Sequence, residues 1–183
     1  MPSTIDIHGY AIVSHDDHIA GADGRTPDAL RNEADWAYFQ RELDRADIVA
    51  LGRLGHEANP NPRGRRRLVL SRSANRLERR ADAWWWNPER LSWAQASATL
   101  LPAGGRVAVP GGRDVFDLFL GAGYEAFHLS RAERVRVGAG RALFSACERG
   151  ADAAVVLAGA GLRADAAEVL DADAGVTLTV WRR

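Results

Sequence analysis

Apolar runs of β type alternate with segments of helical period along most of this chain, and no other feature narrows its fold as much. IDIHGYAIV (residues 5–13), DIVALG (47–52), RRLVLSRS (66–73), ADAWWWN (81–87), RVAVP (106–110) and YEAFHLSRAERV (124–135) read as strands, the first two largely buried. NEADWAYFQRELDRA (32–46) reads as a helix because Trp36, Phe39 and Leu43 recur at helical spacing. PERLSWAQASATL (88–100) reads as a helix with Pro88 near its first turn, and RDVFDLFLGAG (113–123) as one that ends in glycines. Such alternation predicts an α/β sandwich with a largely parallel central sheet. The tail, 150–183, reads as β structure. Its closing GVTLTVWRR turns Val176, Leu178 and Val180 one way, which predicts antiparallel strands at one edge. SHDDHIAGADGRTPD (14–28) and RLGHEANPNPRGR (53–65) read as loops, and loops as long as the first are often functional.

The length suits one domain over 1–183 with a core of its own; no repeat, linker or low-complexity segment divides it. Acidic and basic residues balance to a formal net charge of zero, which argues against a nucleic-acid or membrane-surface partner. No apolar run is long enough to span a bilayer, and MPSTIDIHGY lacks the regions of a signal peptide. A single cysteine, Cys147, excludes an internal disulfide and suits a reducing cytoplasm. Every basic residue other than histidine is arginine, so a mechanism that needs lysine is excluded. The apolar final strand and the tryptophan run are compatible with either a monomer or a homodimer.

Several short stretches carry chemistry, each with a plainer reading beside it. VAVPGGRDVFDLFL (107–120) hands a strand to a helix through Gly111 and Gly112. Two residues without Cβ ahead of a helix start admit a phosphate to unpaired N–H groups, or simply make a tight turn. This is not the GxGxxG of a dinucleotide-binding fold. Gly52 and Arg53 end a buried strand, at the edge where ligands of α/β sheets gather, or form an ordinary turn. In GRRRLVLSRS (64–73), Arg65 and Arg72 flank a strand as anion ligands or as part of a solvated basic stretch. Asp35 lies beside Trp36 and Phe39. A carboxylate on a buried helix face gains a raised pKa suited to proton delivery; an acid in a first turn also stabilises the helix dipole. SHDDH (14–18) has two histidines and two aspartates but no further ligand cluster to support a metal. Trp84, Trp85 and Trp86 point to both faces of a strand, so one ring needs a second layer, a ligand or a partner over it.

Taken in order, these segments resemble the dihydrofolate reductase superfamily, which includes the reductase domain of bacterial riboflavin biosynthesis. The resemblance runs from IAG (19–21) through EADWAYF, DIVALGR, PRGRRRLVLSRS, VAVPGGRDVFDLFL and YEAFHLS to the closing GVTLTVWRR, nearly the whole chain. No single motif is decisive; their common order and spacing carry the likeness. It implies a dihydrofolate-reductase-like three-layer α/β sandwich, with a mostly parallel sheet and an antiparallel C-terminal edge, that binds NADPH. Asp35 then matches the acid that binds the pteridine and supports protonation of its ring nitrogen, with Ile12 and Phe39 lining the pocket. Ser130 stands for a threonine that hydrogen-bonds near this acid, and Arg65 for the arginine that holds the α-carboxylate of folate. Gly52, Arg53, Ser71 and Arg72 match contacts around the 2′-phosphate of NADPH. Gly111 and Gly112, usually joined by a cis peptide, lie beside the cofactor with Arg113, Asp114, Val115 and Ile19. The 14–28 loop would close over the site.

The activity so implied is reduction of a pterin-type C=N bond, with dihydrofolate to tetrahydrofolate as the leading case. The chain also departs from the dihydrofolate reductases. Asp28 and Ala29 follow Pro27 where those enzymes carry Pro-Trp; Gly55 replaces a hydroxyl residue, and Phe116 a tyrosine. RELDRADIVALGR resembles the riboflavin-pathway reductases at least as well. The alternatives are therefore a reductase of a ribosylamino-pyrimidine or another NADPH-dependent reductase, and, in a different class, a nucleotide-binding module without catalysis.

Overall fold

The computed structural model of the chain describes residues 4–183; positions 1–3 of the amino terminus read above lie outside the described residues. Six strands run parallel through the centre of one sheet: β1 (Ile5–Ser14), β3 (Ile48–Gly52), β4 (Arg67–Leu70), β6 (Trp84–Trp86), β7 (Gly105–Gly111) and β8 (Ala126–Ala132). Their spatial order is β8–β1–β7–β3–β4–β6. At one side β5 (Leu77–Arg79) pairs antiparallel with β6; at the other, β12 (Val176–Arg182) pairs antiparallel with β8. β10 (Arg163–Ala164) and β11 (Glu168–Asp171) add to β12. The α/β reading, the parallel centre and the antiparallel C-terminal edge are thus all present, although β12 is covered by these short strands and is not itself the last.

Alternation along the strands makes two layers. Ile7, Val13, Ile48, Ala50, Val107, Val109 and Phe127 face α3 (Trp93–Leu100) and α4 (Arg113–Ala122), which contribute Ala96, Leu100, Phe116 and Phe119. Tyr10, Val49, Leu51 and Ala108 face the other way, under Leu43 and Phe39 of α1 (Glu33–Asp44). Each large apolar side chain buried here contributes roughly 1.5–3 kcal/mol. Gly9 is required where β1 crosses Phe127, because a Cβ would lie 2.3 Å from that ring. Pro110 lacks an N–H, and the β3–β7 ladder slips there, so that Leu51 stands opposite Gly111.

The structure corrects several local readings. The 14–28 segment is not irregular throughout: β2 (His18–Gly21) pairs with β9 (Gly140–Ala142). The SHDDH residues tie it down. Asp16 accepts from the N–H of Val137 and Gly138, while Asp17 accepts from Ala153 N–H and pairs with Arg131 at 2.6 Å. The 53–65 loop opens with a short helix, α2 (Arg53–Ala58). The 88–100 helix begins at Trp93, where Ser92 and Gln95 form a capping box, and Pro88 lies in the turn before it. The tail is not all β. After α5 (Ser145–Glu148) comes α6 (Ala153–Gly159), which buries Ala153 and Leu157 one turn apart. Trp36 is 57% exposed, so the apolar face of α1 rests on Leu43 and Phe39. The tryptophan run needs no outside cover: Trp86 is in the core, and Trp85 lies under the Arg80 guanidinium, 4.2 Å from its ring centroid, and the edge of His56.

Candidate active site

The carboxyl ends of the parallel strands lie along one edge of the sheet, and most of the residues singled out in the sequence meet there. Register places Gly52 beside Leu70, one residue before Ser71, and Leu51 beside Gly111. Gly52 and Arg53, Ser71 and Arg72, and Gly111 and Gly112 therefore follow three neighbouring strands at the same edge. Val115, buried in the first turn of α4, approaches Gly52 and packs the two turns together. Ile19, on β2, packs against the main core.

These turns differ in what they leave free. The Gly111–Gly112 peptide is cis. Gly111 has φ of +126°, and a Cβ there would meet the Phe116 ring at 3.3 Å. Gly112 has ordinary φ, and a Cβ on it would meet nothing within 4 Å; its backbone is open on that side. Ser71 and Ser73 hydroxyls are 2.9 Å apart and shape the turn after β4, while the exposed Arg72 guanidinium has no partner among the described residues. Arg53 instead lies along α2 with both Glu57 oxygens at 2.9 Å. Arg113 is held by Asp114 at 2.9 Å and by Glu148 at 2.5 Å. These glycines, Ser71 and Arg72 fit an anionic, nucleotide-like group; Arg53 and Arg113 would have to exchange internal partners for it.

Asp35 comes from the opposite layer. The Asn32 side chain caps α1 by accepting from the N–H of Ala34 and Asp35, at 3.0 and 3.1 Å, so Asp35 lies in the first turn at the carboxyl edge. Burial raises its pKa above the usual carboxylate range, and the nearby buried Ser130 hydroxyl partly opposes that rise. Ile12 is the register partner of Ser130 on β1, and Phe39 lies one turn beyond Asp35. The group expected around the acid is thus assembled: a carboxyl of raised pKa, a hydroxyl and apolar walls. Such a carboxyl can hold a heterocyclic N–H or support its protonation.

Arg65 stands apart. It precedes β4, at the end of that strand away from Ser71, and reaches α1: Asp44 at 2.7 Å, Gln40 Oε1 at 2.8 Å and Gln40 carbonyl at 3.2 Å. Arg63 pairs with the same Asp44. Arg66 and Arg67 are structural, Arg66 donating to the Leu100 carbonyl at the end of α3 and Arg67 to the Asn59 carbonyl.

One polar cluster escaped the sequence reading. His8, Tyr10 and His128 lie buried under α1, beside Ser130. Tyr38 Oη is 2.5 Å from His128 Nδ1, and His128 Nε2 is 3.2 Å from His8 Nδ1. The Tyr10 hydroxyl donates to Glu42 at 3.3 Å. Burial, the leading cause, pulls His8 down to about 4 and His128 down to about 3, so both rings are neutral at physiological pH. The available signal was polar residues at alternate positions of two strands otherwise apolar.

No protein-family model matches the sequence, and no curated protein matches it. Solved structures do match the fold. A protein from Shewanella sp. PV-4 described as a riboflavin biosynthesis protein superposes with a TM-score of 0.68 at 18% identity, over 98% of this chain and 99% of its own. Dihydrofolate reductase from Enterococcus faecalis, complexed with NADP(H) and RAB-propyl, matches with a TM-score of 0.67 at 16% identity, over 97% of this chain and 96% of its own. A diaminohydroxyphosphoribosylaminopyrimidine deaminase/5-amino-6-(5-phosphoribosylamino)uracil reductase from Thermotoga maritima matches with a TM-score of 0.66 at 16% identity. In that last case 98% of this chain covers 56% of the other. The chain therefore has the dihydrofolate reductase fold, which it shares with these three proteins.

Proposed function

We propose that the chain is an NADPH-dependent reductase that reduces a pterin-type C=N bond, with dihydrofolate as the leading substrate. The observation that carries this reading is Asp35: a largely buried carboxyl with a raised pKa near the Ser130 hydroxyl, at the same strand edge as the open Gly112 backbone and unpartnered Arg72. NADPH, when bound, supplies the hydride. Gly111 and Gly112 would let it approach the backbone, and Ser71 and Arg72 would take its 2′-phosphate. Asp35 would orient the acceptor ring and raise its proton affinity, with water delivering the proton. Ile12 and Phe39 would flank the ring.

One observation favours a second reading. Asp44 and Gln40 already satisfy Arg65, the residue expected to hold the folate carboxylate. A substrate without that carboxylate, such as a ribosylamino-pyrimidine, would not need to displace them. The test supplies NADPH with each acceptor in separate reactions. NADPH consumption with dihydrofolate supports the leading reading, and consumption with the pyrimidine alone moves the assignment to the second. No consumption with either, NADPH still binding, contradicts both and leaves a nucleotide-binding module.

A further inference from the structure

The buried polar cluster under α1 is more than packing, because its members form a chain with two ends. Helix α1 runs from the carboxyl edge of the sheet, where Asp35 meets Ser130, towards the amino edge, where Glu42 lies 3.6 Å from Arg106. Tyr38 follows Asp35 by one helical turn on the same face, and His128 precedes Ser130 by two residues on the same face of β8. From Tyr38 the hydrogen bonds continue to His128 and then to His8 on the adjacent strand. The Tyr10 ring stacks on His128, centroids 4.5 Å apart, and fixes its plane.

The chemistry of this chain is restricted. Each imidazole is neutral and carries one proton, and His128 uses both ring nitrogens, so it must donate on one side and accept on the other. Two arrangements satisfy this. In one, Tyr38 O–H donates to Nδ1 of His128, whose Nε2–H donates to Nδ1 of His8. In the other every donor is reversed, and the Tyr38 proton is released from the His128 contact. We infer that Tyr38, His128 and His8 form a proton relay beneath α1 that connects Asp35 with the amino edge of the sheet.

The step balances without electron transfer. A proton is taken up at His8 Nε2; the Nδ1 proton of His8 passes to Nε2 of His128, and the Nδ1 proton of His128 to Tyr38 Oη. The original Tyr38 proton then goes to the Asp35 carboxylate, directly or through one water. One proton has entered and one carboxylate has been neutralised, and the chain has changed arrangement. The reverse passage returns a proton to solvent. Asp6, Glu42, Arg106 and Arg182 are the charged groups felt at the His8 end, and Tyr10 and Tyr38 flank the rings. The three residues act through Asp35 and are positioning residues, not catalytic ones.

The first test needs no substrate. Carboxyl-carbon and imidazole-nitrogen NMR would follow Asp35, His8 and His128 through a pH titration of the full-length protein. The expected result is that both imidazoles change tautomer balance with the midpoint of Asp35, and that Tyr38→Phe, which keeps the ring, abolishes this response. His8→Gln breaks the chain at its outer end and should uncouple His128 from solvent while leaving the Tyr38 contact. Imidazole signals indifferent to Asp35 in the wild type, or a response that persists in Tyr38→Phe, would overturn the relay. The activity arm rests on the function proposed above. There Tyr38→Phe should lower kcat by about ten- to a hundredfold, leave KM for NADPH unchanged and enlarge the solvent isotope effect. A protein that shows the NMR coupling but reduces no acceptor would fail the proposed function and keep the relay.

Discussion

Gly111 and Gly112 are neighbours under different constraints, and substitution separates them. Alanine at Gly111 meets both a positive φ and the Phe116 ring, so Gly111→Ala should cost about 1–3 kcal/mol of stability, read as a lower midpoint in chemical denaturation. Alanine at Gly112 meets no protein atom within 4 Å. Gly112→Ala should therefore keep its stability and still lose NADPH affinity, as seen in a fluorescence titration. A variant that binds as tightly as the wild type would remove the cofactor from this turn. Asp35 is also set against stability. Its folded-state pKa is raised, so its favourable contribution is present below the ordinary carboxylate range and is lost as pH rises through the raised value. Asp35→Asn should accordingly melt above the wild type at neutral pH, with the gap closing in acid; an unchanged gap across that range would contradict the environment assigned to Asp35.

At the scale of elements, α1 carries the site, and its start decides where Asp35 sits. Asn32 caps the helix and also donates to Asp171 at 2.8 Å, which ties α1 to β11. Asn32→Ala should destabilise the fold by about 1 kcal/mol and reduce turnover more than NADPH binding, because it loosens the acid and not the nucleotide edge. The elements legible in the sequence were those with a clear local apolar pattern: α1, α4, β1, β3, β4, β6, β7, β8 and β12. β2 was not, because its partner β9 lies in a distant segment and no local pattern announces the pairing. α6 reads as a strand through Val155 and Val156, whereas it folds as a helix because Ala153 and Leu157 bury one face. α2 is short, contains Gly55 and runs into two prolines, which is the composition of a loop.

At the scale of the whole molecule, the order of motifs along the chain matches a site in which Gly52, Ser71, Arg72, Gly111 and Gly112 share one sheet edge, with Ser130 of β8 near Asp35 of the α1 layer. Proximity of this kind is legible because parallel strands bring their carboxyl ends together whatever lies between them. What remained hidden was competition within the fold. Nothing local to Arg65 reveals that Asp44 and Gln40 hold it, and nothing local to His128 reveals Tyr38 and His8. The buried histidines also give the molecule an acid sensitivity. Both are depressed from an ordinary 6.5, so their stabilising contribution is complete above that value and is lost as pH falls towards about 4 for His8 and about 3 for His128. Thermal melts should fall over that window, and His8→Gln should flatten the fall.

The central claim is that Asp35 serves the chemistry of a cofactor held at the same carboxyl edge of the sheet. The measurement that tests it most directly is NADPH oxidation with dihydrofolate by the wild type and Asp35→Asn, with NADPH affinity determined for both. The account predicts turnover in the wild type and a loss of about a hundredfold or more in the variant, with NADPH bound equally well by each. Equal loss of turnover and NADPH affinity, or turnover indifferent to the substitution, would contradict it.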